Sequence, residues 1–386
     1  MTDRLKQIFL TVLLAVGRFG LNLIYFFHKA APTRNRISFI SRQNPEPSED
    51  LTMLAAELKR QSPRTQIVID CKMIDPGLPA KIRYLFYMIT RQMHLFATSR
   101  VVILDGYCIA ACMLHHKKRL KIVQMWHAMG AFKKFGYTSL GESEGRSKTL
   151  ARGMRMHENY DVVFISSEAC RAPMAASFGC DPGKLVVMPL PRTDALRDSE
   201  QIRENARRIH DRYPQLTGKQ VILYAPTFRR AGDILPYAKE LIDAVDYTRY
   251  CLVVKLHPLD GRRIIAKHAI IDEDFTSQEW LSAADSVVTD YSAFLYEAAV
   301  AGKALYRYVP DAESYDTQRG FLVNPEQELP FYCSGDAHEI VSAIETARCD
   351  RDAVRAFADK YVAPGENHTR RMAQYILDLQ GAEAVR

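Results

Sequence analysis

The chain reads as an α/β protein with two Rossmann-like, doubly wound domains facing a cleft, preceded by a membrane-associating helix. Three observations predict this. Short β-rich runs alternate with helical ones through most of the 386 residues, the order that builds parallel sheets covered by helices on both faces. The alternation breaks once, at a charged helical stretch from Asp198 to Arg212 closed by Pro214 and Gly218, and then begins again. The length, with 47% hydrophobic and 25% charged residues, is enough for two separate cores. The expected division is a helix over 1–30, a first domain over 31–197 and a second over 198–386.

Taken in order, Ile8 to Phe27 is apolar except at Thr11, Gly17, Arg18, Gly20 and Asn22, and is flanked by Arg4, Lys6, Lys29, Arg34 and Arg36. A bilayer span needs about 20 apolar residues, and Arg18 near its middle is costly. A helix lying in the membrane plane, with cations at the headgroups, satisfies more of these residues, and the basic flanks favour the cytoplasmic side. A true span and a buried terminal helix are the competing readings. The first domain's strands are expected at Ile37–Ser41, Gln66–Asp70, Val101–Leu104, Lys121–Met125, Val162–Ile165 and Val186–Met188, with helices at Ser48–Arg60, Lys81–Phe96, Ser147–Asn159 and Ser167–Phe178. The second domain's strands are expected at Val221–Tyr224, Tyr250–Lys255, Ala269–Asp272, Ser286–Val288 and Ala304–Tyr308.

In open α/β sheets ligands sit beyond the carboxyl ends of the strands. Four strand ends carry chemistry. After Lys121–Met125 comes His127 in a loop with Lys133 and Lys134. An imidazole there can accept a proton from a hydroxyl, although an ordinary exposed loop histidine would look the same. Thr227 and Arg229 follow the strand ending at Tyr224, where a guanidinium can fork onto phosphate oxygens. Lys255, at the end of Tyr250–Lys255, and His257 just after it are spaced by two and should project together. Arg192 and Asp194 leave the last strand of the first domain, either as ligand contacts or to fix the crossover. A fifth stretch, Thr289-Asp290-Tyr291-Ser292, lies between a strand and a helix that Gly302 closes. Its hydroxyls and carboxylate are expected to cap that helix, whose start would then suit phosphate.

A formal charge of +7 and a pI near 8.9 call for an anionic partner. The eight cysteines are scattered without a Cys-x-x-Cys pair, which fits a reducing compartment. Cys108, Cys112, His115 and His116 read as a buried helix running into a charged end rather than as a metal site. No G-x-x-x-x-G-K-[ST] and no strand-borne G-x-G-x-x-G is present, which argues against a P-loop nucleotidase and a dinucleotide oxidoreductase; Gly141-Glu-Ser-Glu-Gly145 has the G-x-S-x-G spacing but does not directly follow a β-rich run, as the usual hydrolase elbow would. The basic runs lack interleaved aromatics, so nucleic acid is not expected as a partner.

Taken together, Trp126-His127 with Lys133-Lys134 and Gly136, Pro191-Arg192-Thr193-Asp194, Tyr224-Ala-Pro-Thr-Phe-Arg229, Lys255-Leu-His-Pro258 and Thr289-Asp-Tyr-Ser292 resemble, in order and spacing, the CDP-glycerol glycerophosphotransferases of teichoic acid synthesis. The resemblance runs from about Arg100 to the C-terminus. It implies the GT-B-like fold and transfer of glycerol phosphate from CDP-glycerol, or another CDP-alditol, to a lipid-linked acceptor such as a polyprenyl diphosphate saccharide, with release of CMP. Carried over, His127 is the general base, and Arg229 and His257, helped by Lys255, hold the pyrophosphate. Thr227, Thr289, Asp290 and Ser292 bind the donor, and Glu297 reaches its ribose. Lys133, Lys134, Arg192 and Asp194 fall on the acceptor side. No cofactor or metal enters the reading, and an anionic membrane surface does, at its cytoplasmic face.

Ala128, Ala293 and Ala304 depart from residues common in the family, which leaves the alditol and the acceptor open. The short N-terminal region leans toward a single-addition, primase-like enzyme. Two alternatives stand beside this reading: a GT-B glycosyltransferase using a nucleotide-sugar, and a non-catalytic basic protein at a membrane surface.

Overall fold

In a computed structural model, residues 3–142, 147–229, 234–256, 262, 264–312 and 320–381 are described. They form two α/β units, one made of residues 1–192 with 365–386 and the other of residues 193–364.

The first unit holds a six-stranded parallel sheet of β1 (Arg36–Ser41), β2 (Gln66–Cys71), β3 (Val101–Leu104), β4 (Lys121–Gln124), β5 (Val162–Ile165) and β6 (Leu185–Val187), in the order β2-β1-β3-β4-β5-β6. Strands β1, β3 and β5 are buried throughout; β3 and β5 are the continuous apolar runs of a sheet covered on both faces, while the polar Arg36, Ser38 and Ser41 of β1 are bonded to Thr98, Ser99 and Asp105. The strand order reverses between β1 and β3, so the crevice beyond their carboxyl ends is where such a sheet takes ligands.

In the second unit β7 (Gln220–Tyr224), β8 (Tyr250–Val254), β9 (Ile270–Ile271), β10 (Ser286–Thr289), β11 (Ala304–Tyr308) and β12 (Tyr332–Ser334) run in the order β12-β11-β10-β7-β8-β9. Here the reversal lies between β7 and β10. One face of this sheet packs Tyr224, Leu252, Val288, Tyr306 and Tyr308 against Ala238 and Leu241 of the helix Leu235–Ala244 and Ile340 and Ile344 of Ala337–Glu345. On the helices Phe294–Val300 and Arg351–Tyr361, Tyr296 stacks on Phe357 with ring centroids 5.1 Å apart.

The N-terminal helix α1 (Asp3–His28) is docked on the first unit along one polar stripe. Asn22 donates to the Met113 carbonyl at 3.0 Å and accepts from the His115 N–H at 2.7 Å. Lys29 donates to the His115 carbonyl, and the Tyr25 hydroxyl lies 3.1 Å from His116 Nδ1. The other ring nitrogen of His116 donates to the Ala111 carbonyl, and in the neutral ring that burial favours, Nδ1 accepts from Tyr25. Burial pushes the His116 pKa down to about 4. Leu14, on the same helix, packs over Gly153, where a Cβ would come within 2.4 Å of it. The remaining surface of α1 leaves Phe9, Val16, Phe19, Phe26 and Phe27 exposed.

Three expectations are corrected, and one strand is added. The C-terminal segment 365–381 belongs to the first unit, because the helix His368–Gly381 packs on α2 (Glu49–Gln61) and bonds through Gln380 to Asn35 and through the Arg370 carbonyl to Gln61. The first unit ends at Arg192 rather than at residue 197. The helix expected over Ser147–Asn159 stops at Gly153, since Arg155, His157 and Asn159 take left-handed φ and the Asn159 amide instead ties down the carbonyls of Ala111, Cys112 and Leu114. The short edge strand β12, only three residues long, was too brief for its alternation to register.

Candidate active site

In the first unit, β4 delivers its chain into a turn at Trp126, whose φ of 65° is left-handed. That conformation costs a bulky residue about 1–2 kcal/mol. It is held by Gln124, which accepts from the Trp126 N–H at 2.9 Å and donates to the Gly106 carbonyl at 3.0 Å, and by the indole stacking on Phe135 at 4.5 Å. The consequence is the placement of His127. Its Nδ1 lies 2.7 Å from the backbone carbonyl of Asp105, which can only accept, so Nδ1 carries the proton. The lone pair is therefore on Nε2, which has no partner among the described residues. The Gln43 amide nitrogen, 3.3 Å from Nδ1, adds proximity rather than a second bond, and Gly106 makes room for it, since a Cβ there would come within 2.5 Å.

The backbone of His127 is held from the other side. Its carbonyl accepts from Arg192 Nη2 at 2.9 Å, while Arg192 is itself fixed on the buried Asp50 through Nε and the main-chain N–H, each at 2.8 Å. Desolvation by the surrounding protein lowers the His127 pKa; the Asp105 carbonyl opposes this and the Arg192 charge adds to it. The residue as a whole still keeps an exposed surface. A neutral imidazole with its basic nitrogen accessible is the state a general base requires. Beneath it, at the β1/β3 reversal, Asp105 accepts from Ser41 Oγ at 2.6 Å and leaves its second oxygen unpartnered among the described residues. Burial raises this carboxyl to about 6.

In the second unit the β7/β10 reversal carries a closed charge cluster. Asp290 accepts from the Thr227 N–H at 2.9 Å, the Thr227 hydroxyl at 2.7 Å and Arg229 Nη2 at 2.7 Å. Arg229 also forks onto Asp311 at 2.8 and 3.2 Å, donates to the Thr227 carbonyl at 2.8 Å and covers the Tyr291 ring. Desolvation works against the Arg229 charge, but Asp290 and Asp311 outweigh it and hold its pKa above the ordinary value. The Thr289 hydroxyl is taken by the Ala225 carbonyl at 2.7 Å. Thr227, Arg229, Thr289 and Asp290 therefore lock the turn after β10 onto the segment that follows β7. The expected cap is correspondingly weaker. The helix Phe294–Val300 starts from Ala293 without a side-chain cap, and only Ser292 Oγ, 3.2 Å from the Phe294 N–H, reaches its start. The Asp290 carboxylate does not, because Thr227 and Arg229 hold it.

Lys255 follows β8, as expected, but its ammonium is bound by the carbonyl and carboxylate of Asp272 at 2.7 and 2.8 Å. Burial opposes the charge on Asp272. Bonds from Lys255, Tyr213, Trp280 and the Phe275 N–H more than offset this and hold its pKa below the usual carboxylate range. Glu297 is buried and accepts from Gln278 at 3.0 Å. Lys134 pairs with Glu142 at 2.8 Å, and Lys133 is half-buried in the same loop. Asp194 is half-buried in the short helix Arg192–Ala195. His257 lies outside the described residues.

Sequence reasoning missed Asp105, Asp50 and Asp311. Asp105 directly follows β3 and could have been found by inspecting every strand end. Asp50 looked like an ordinary acid in a helix's first turn, and Asp311 lies beyond its strand with no motif around it.

A family model described as CDP-glycerol:poly(glycerophosphate) glycerophosphotransferase matches residues 23–378. The teichoic acid ribitol-phosphate primase of Bacillus spizizenii is 30% identical over 337 residues, covering 83% of this chain and 85% of its own. The teichoic acid glycerol-phosphate primase of Bacillus subtilis is 29% identical, covering 70% and 71%. Among solved structures, the wall teichoic acid polymerase TagF superposes with a TM-score of 0.73 at 16% identity, over 99% of this chain and 98% of that one. This likeness carries the GT-B-like α/β fold of two parallel six-stranded sheets with their helices. With the match running through both sheets and both strand-order reversals, the chain belongs to the CDP-glycerol glycerophosphotransferase family.

Proposed function

We propose that this enzyme transfers an alditol phosphate, glycerol phosphate or ribitol phosphate, from its CDP-alditol to a hydroxyl of a lipid-linked saccharide, releasing CMP. The observation that carries the reading is His127, with its proton committed to the Asp105 carbonyl and Nε2 open. The acceptor hydroxyl gives its proton to Nε2 as its oxygen bonds the alditol-bearing phosphorus. The bond from that phosphorus to the bridging oxygen breaks in line, and CMP leaves with the electron pair. Most of the rate in such a displacement comes from positioning and charge stabilisation.

On the donor side Ser292, Lys255, Arg229, Glu297 and the locked turn of Thr227, Thr289 and Asp290 form the proposed binding wall, with His257 joining them. Arg229 and Lys255 contribute through fixed positive charge, since their nitrogens already hold carboxylates. Lys133, Lys134, Arg192 and Asp194 are assigned to the acceptor side, Arg192 by fixing the His127 backbone.

The enzyme works at the cytoplasmic face of the membrane, with α1 in the plane of the lipid. Residues 7–28 are long and apolar enough to span, with a mean hydropathy of 1.8. In-plane placement is supported by the contacts that tie α1 to the first unit from Leu14 to Lys29, which a helix crossing the bilayer would forfeit. The helix α3 (Leu78–Tyr87) carries a second exposed apolar row, Leu78, Ile82, Leu85 and Phe86, with Lys81 and Arg83 exposed beside it, a pattern suited to an anionic headgroup layer.

The test is CMP release from CDP-glycerol, CDP-ribitol and a UDP-sugar, each with and without a membrane lipid extract. Acceptor-dependent CMP from one CDP-alditol is expected. UDP release from the sugar with no CMP from either alditol would overturn the proposal in favour of a glycosyltransferase.

A further inference from the structure

Arg307 stands near the carboxyl end of β11, in register with Thr289 of β10 on one side and Cys333 of β12 on the other. Its strand neighbours Tyr306 and Tyr308 point into the core cluster on one face of the sheet, so Arg307 points to the other, as does Thr289, whose neighbour Val288 belongs to the same cluster. The residue is 5% exposed, and its Nε is buried without a hydrogen-bond partner. Among the described residues no carboxylate or carbonyl takes a bond from its guanidinium, a group with five N–H donors. Arg229, in the same unit, shows the contrast: each of its three nitrogens has an acceptor. A buried guanidinium without acceptors weakens a fold, and an apolar side chain of similar volume would serve stability better.

The strand context says what the group is for. β11 is the next strand out from β10, and the β7/β10 reversal is where this sheet takes its ligand. In the first unit the corresponding strand, next out from β3, is β4, and it is the strand that delivers His127. We infer that Arg307 is an anion-binding residue of the second unit, whose guanidinium forks onto the diphosphate oxygens of the nucleotide donor. The assignment of the anion rests on the CDP-alditol reading above. It adds to the donor wall a cation whose N–H groups, unlike those of Arg229, are not already held by carboxylates. It also gives a buried, unpartnered arginine a counter-charge that arrives only with substrate.

A bland role is available. Arg229 faces two carboxylates, and Arg307 could balance the surplus negative charge from a distance, a task for which any cation and no particular hydrogen bond would serve. Binding to the full-length protein separates the two roles, with CDP-glycerol, CDP-ribitol, inorganic pyrophosphate and cytidine as probes for the wild type, Arg307→Met and Arg307→Lys. The expected result is a loss of about tenfold to a hundredfold for the CDP-alditol and pyrophosphate in Arg307→Met, a smaller loss in Arg307→Lys, and cytidine affinity unchanged. The melting temperature of the ligand-free Met variant should equal or exceed that of the wild type.

Unchanged binding of the phosphate-bearing probes would overturn the inference. So would a Met variant that melts lower and loses cytidine equally, while Arg307→Lys behaves as wild type, because that is the signature of charge balance alone. Pyrophosphate binding that depends on Arg307, in a protein that takes neither CDP-alditol, would support the anion site and remove the donor reading. A wild type that binds neither pyrophosphate nor a CDP-alditol would overturn both.

Discussion

Replacing Asp105 by Asn should change how the stability of the first unit depends on pH, by an amount the structure sets. Asp105 is buried at the β1/β3 reversal, accepts one bond from Ser41 and has a second oxygen without a partner among the described residues. Burial raises its pKa from the ordinary 3.8 to about 6, with the Ser41 bond opposing this and the Asp50 charge adding to it. A carboxyl raised on folding binds its proton more tightly in the native state. Its contribution is therefore most favourable below pH 3.8 and is lost as the pH rises through about 6. The gap between 3.8 and about 6, at about 1.4 kcal/mol per tenfold, makes about 3 kcal/mol. Asn keeps an acceptor for Ser41 and does not titrate. Relative to the wild type, Asp105→Asn should thus gain about 2 kcal/mol of that between pH 4 and pH 7. The His127 contact survives because it is made by the main chain. Urea unfolding followed by tryptophan fluorescence at pH 4, 5, 6 and 7 measures the difference. A stability difference flat across that range would refute the argument.

The other predictions concern charge, catalysis and lipid. Arg229→Met leaves Asp290 and Asp311 buried without their counter-charge and should cost about 3–5 kcal/mol, read as a lowered denaturation midpoint; a loss under about 1 kcal/mol would mean that the cluster does not hold the turn. The acid limb of the kcat/KM profile, measured in Asp105→Asn so that this carboxyl is silent, should lie below the ordinary imidazole value of about 6.5 and move upward in Arg192→Gln, because the Arg192 charge lowers the His127 pKa. A limb that stays in place would separate Arg192 from the base. Phe19 and Phe27 are 73% and 69% exposed, and Phe→Asp at either should weaken binding to anionic vesicles by about 2 kcal/mol, roughly thirtyfold; vesicle sedimentation that does not change would remove α1 from the lipid.

Both sheets were legible because parallel strands buried on two faces spell continuous apolar runs. Val101–Leu104 and Val162–Ile165 are such runs and fall at the residues their composition marks, as does Ala304–Tyr308, apolar and aromatic except at Arg307. What the alternation could not carry was long-range packing. The return of His368–Gly381 to the first unit depends on its burial of Met372, Ala373 and Ile376 and on Gln380 meeting Asn35, some 345 residues away in the chain. Local spacing says nothing about such a partner.

The strand-end rule singled out His127, Thr227, Arg229, Lys255 and Asp290, and the structure sets each at or just beyond the end of a strand. The partners of these groups were not legible in the sequence. Whether Arg229 meets a phosphate or Asp311, and whether Lys255 is open or held by Asp272, is decided by residues 82 and 17 positions away. Arg307 escaped notice for a related reason. An arginine in a β-rich run looks like a solvated edge residue until the sheet shows strands on both sides of it.

The central claim, that His127 Nε2 removes the acceptor's proton, is tested most directly by acceptor-dependent CMP release in His127→Ala, with CDP-alditol affinity measured on the same protein. The account predicts a fall in kcat of about a hundredfold or more with donor affinity nearly unchanged, since the histidine belongs to the acceptor's chemistry. A fall of less than about tenfold, or one matched by an equal loss of donor binding, would contradict it.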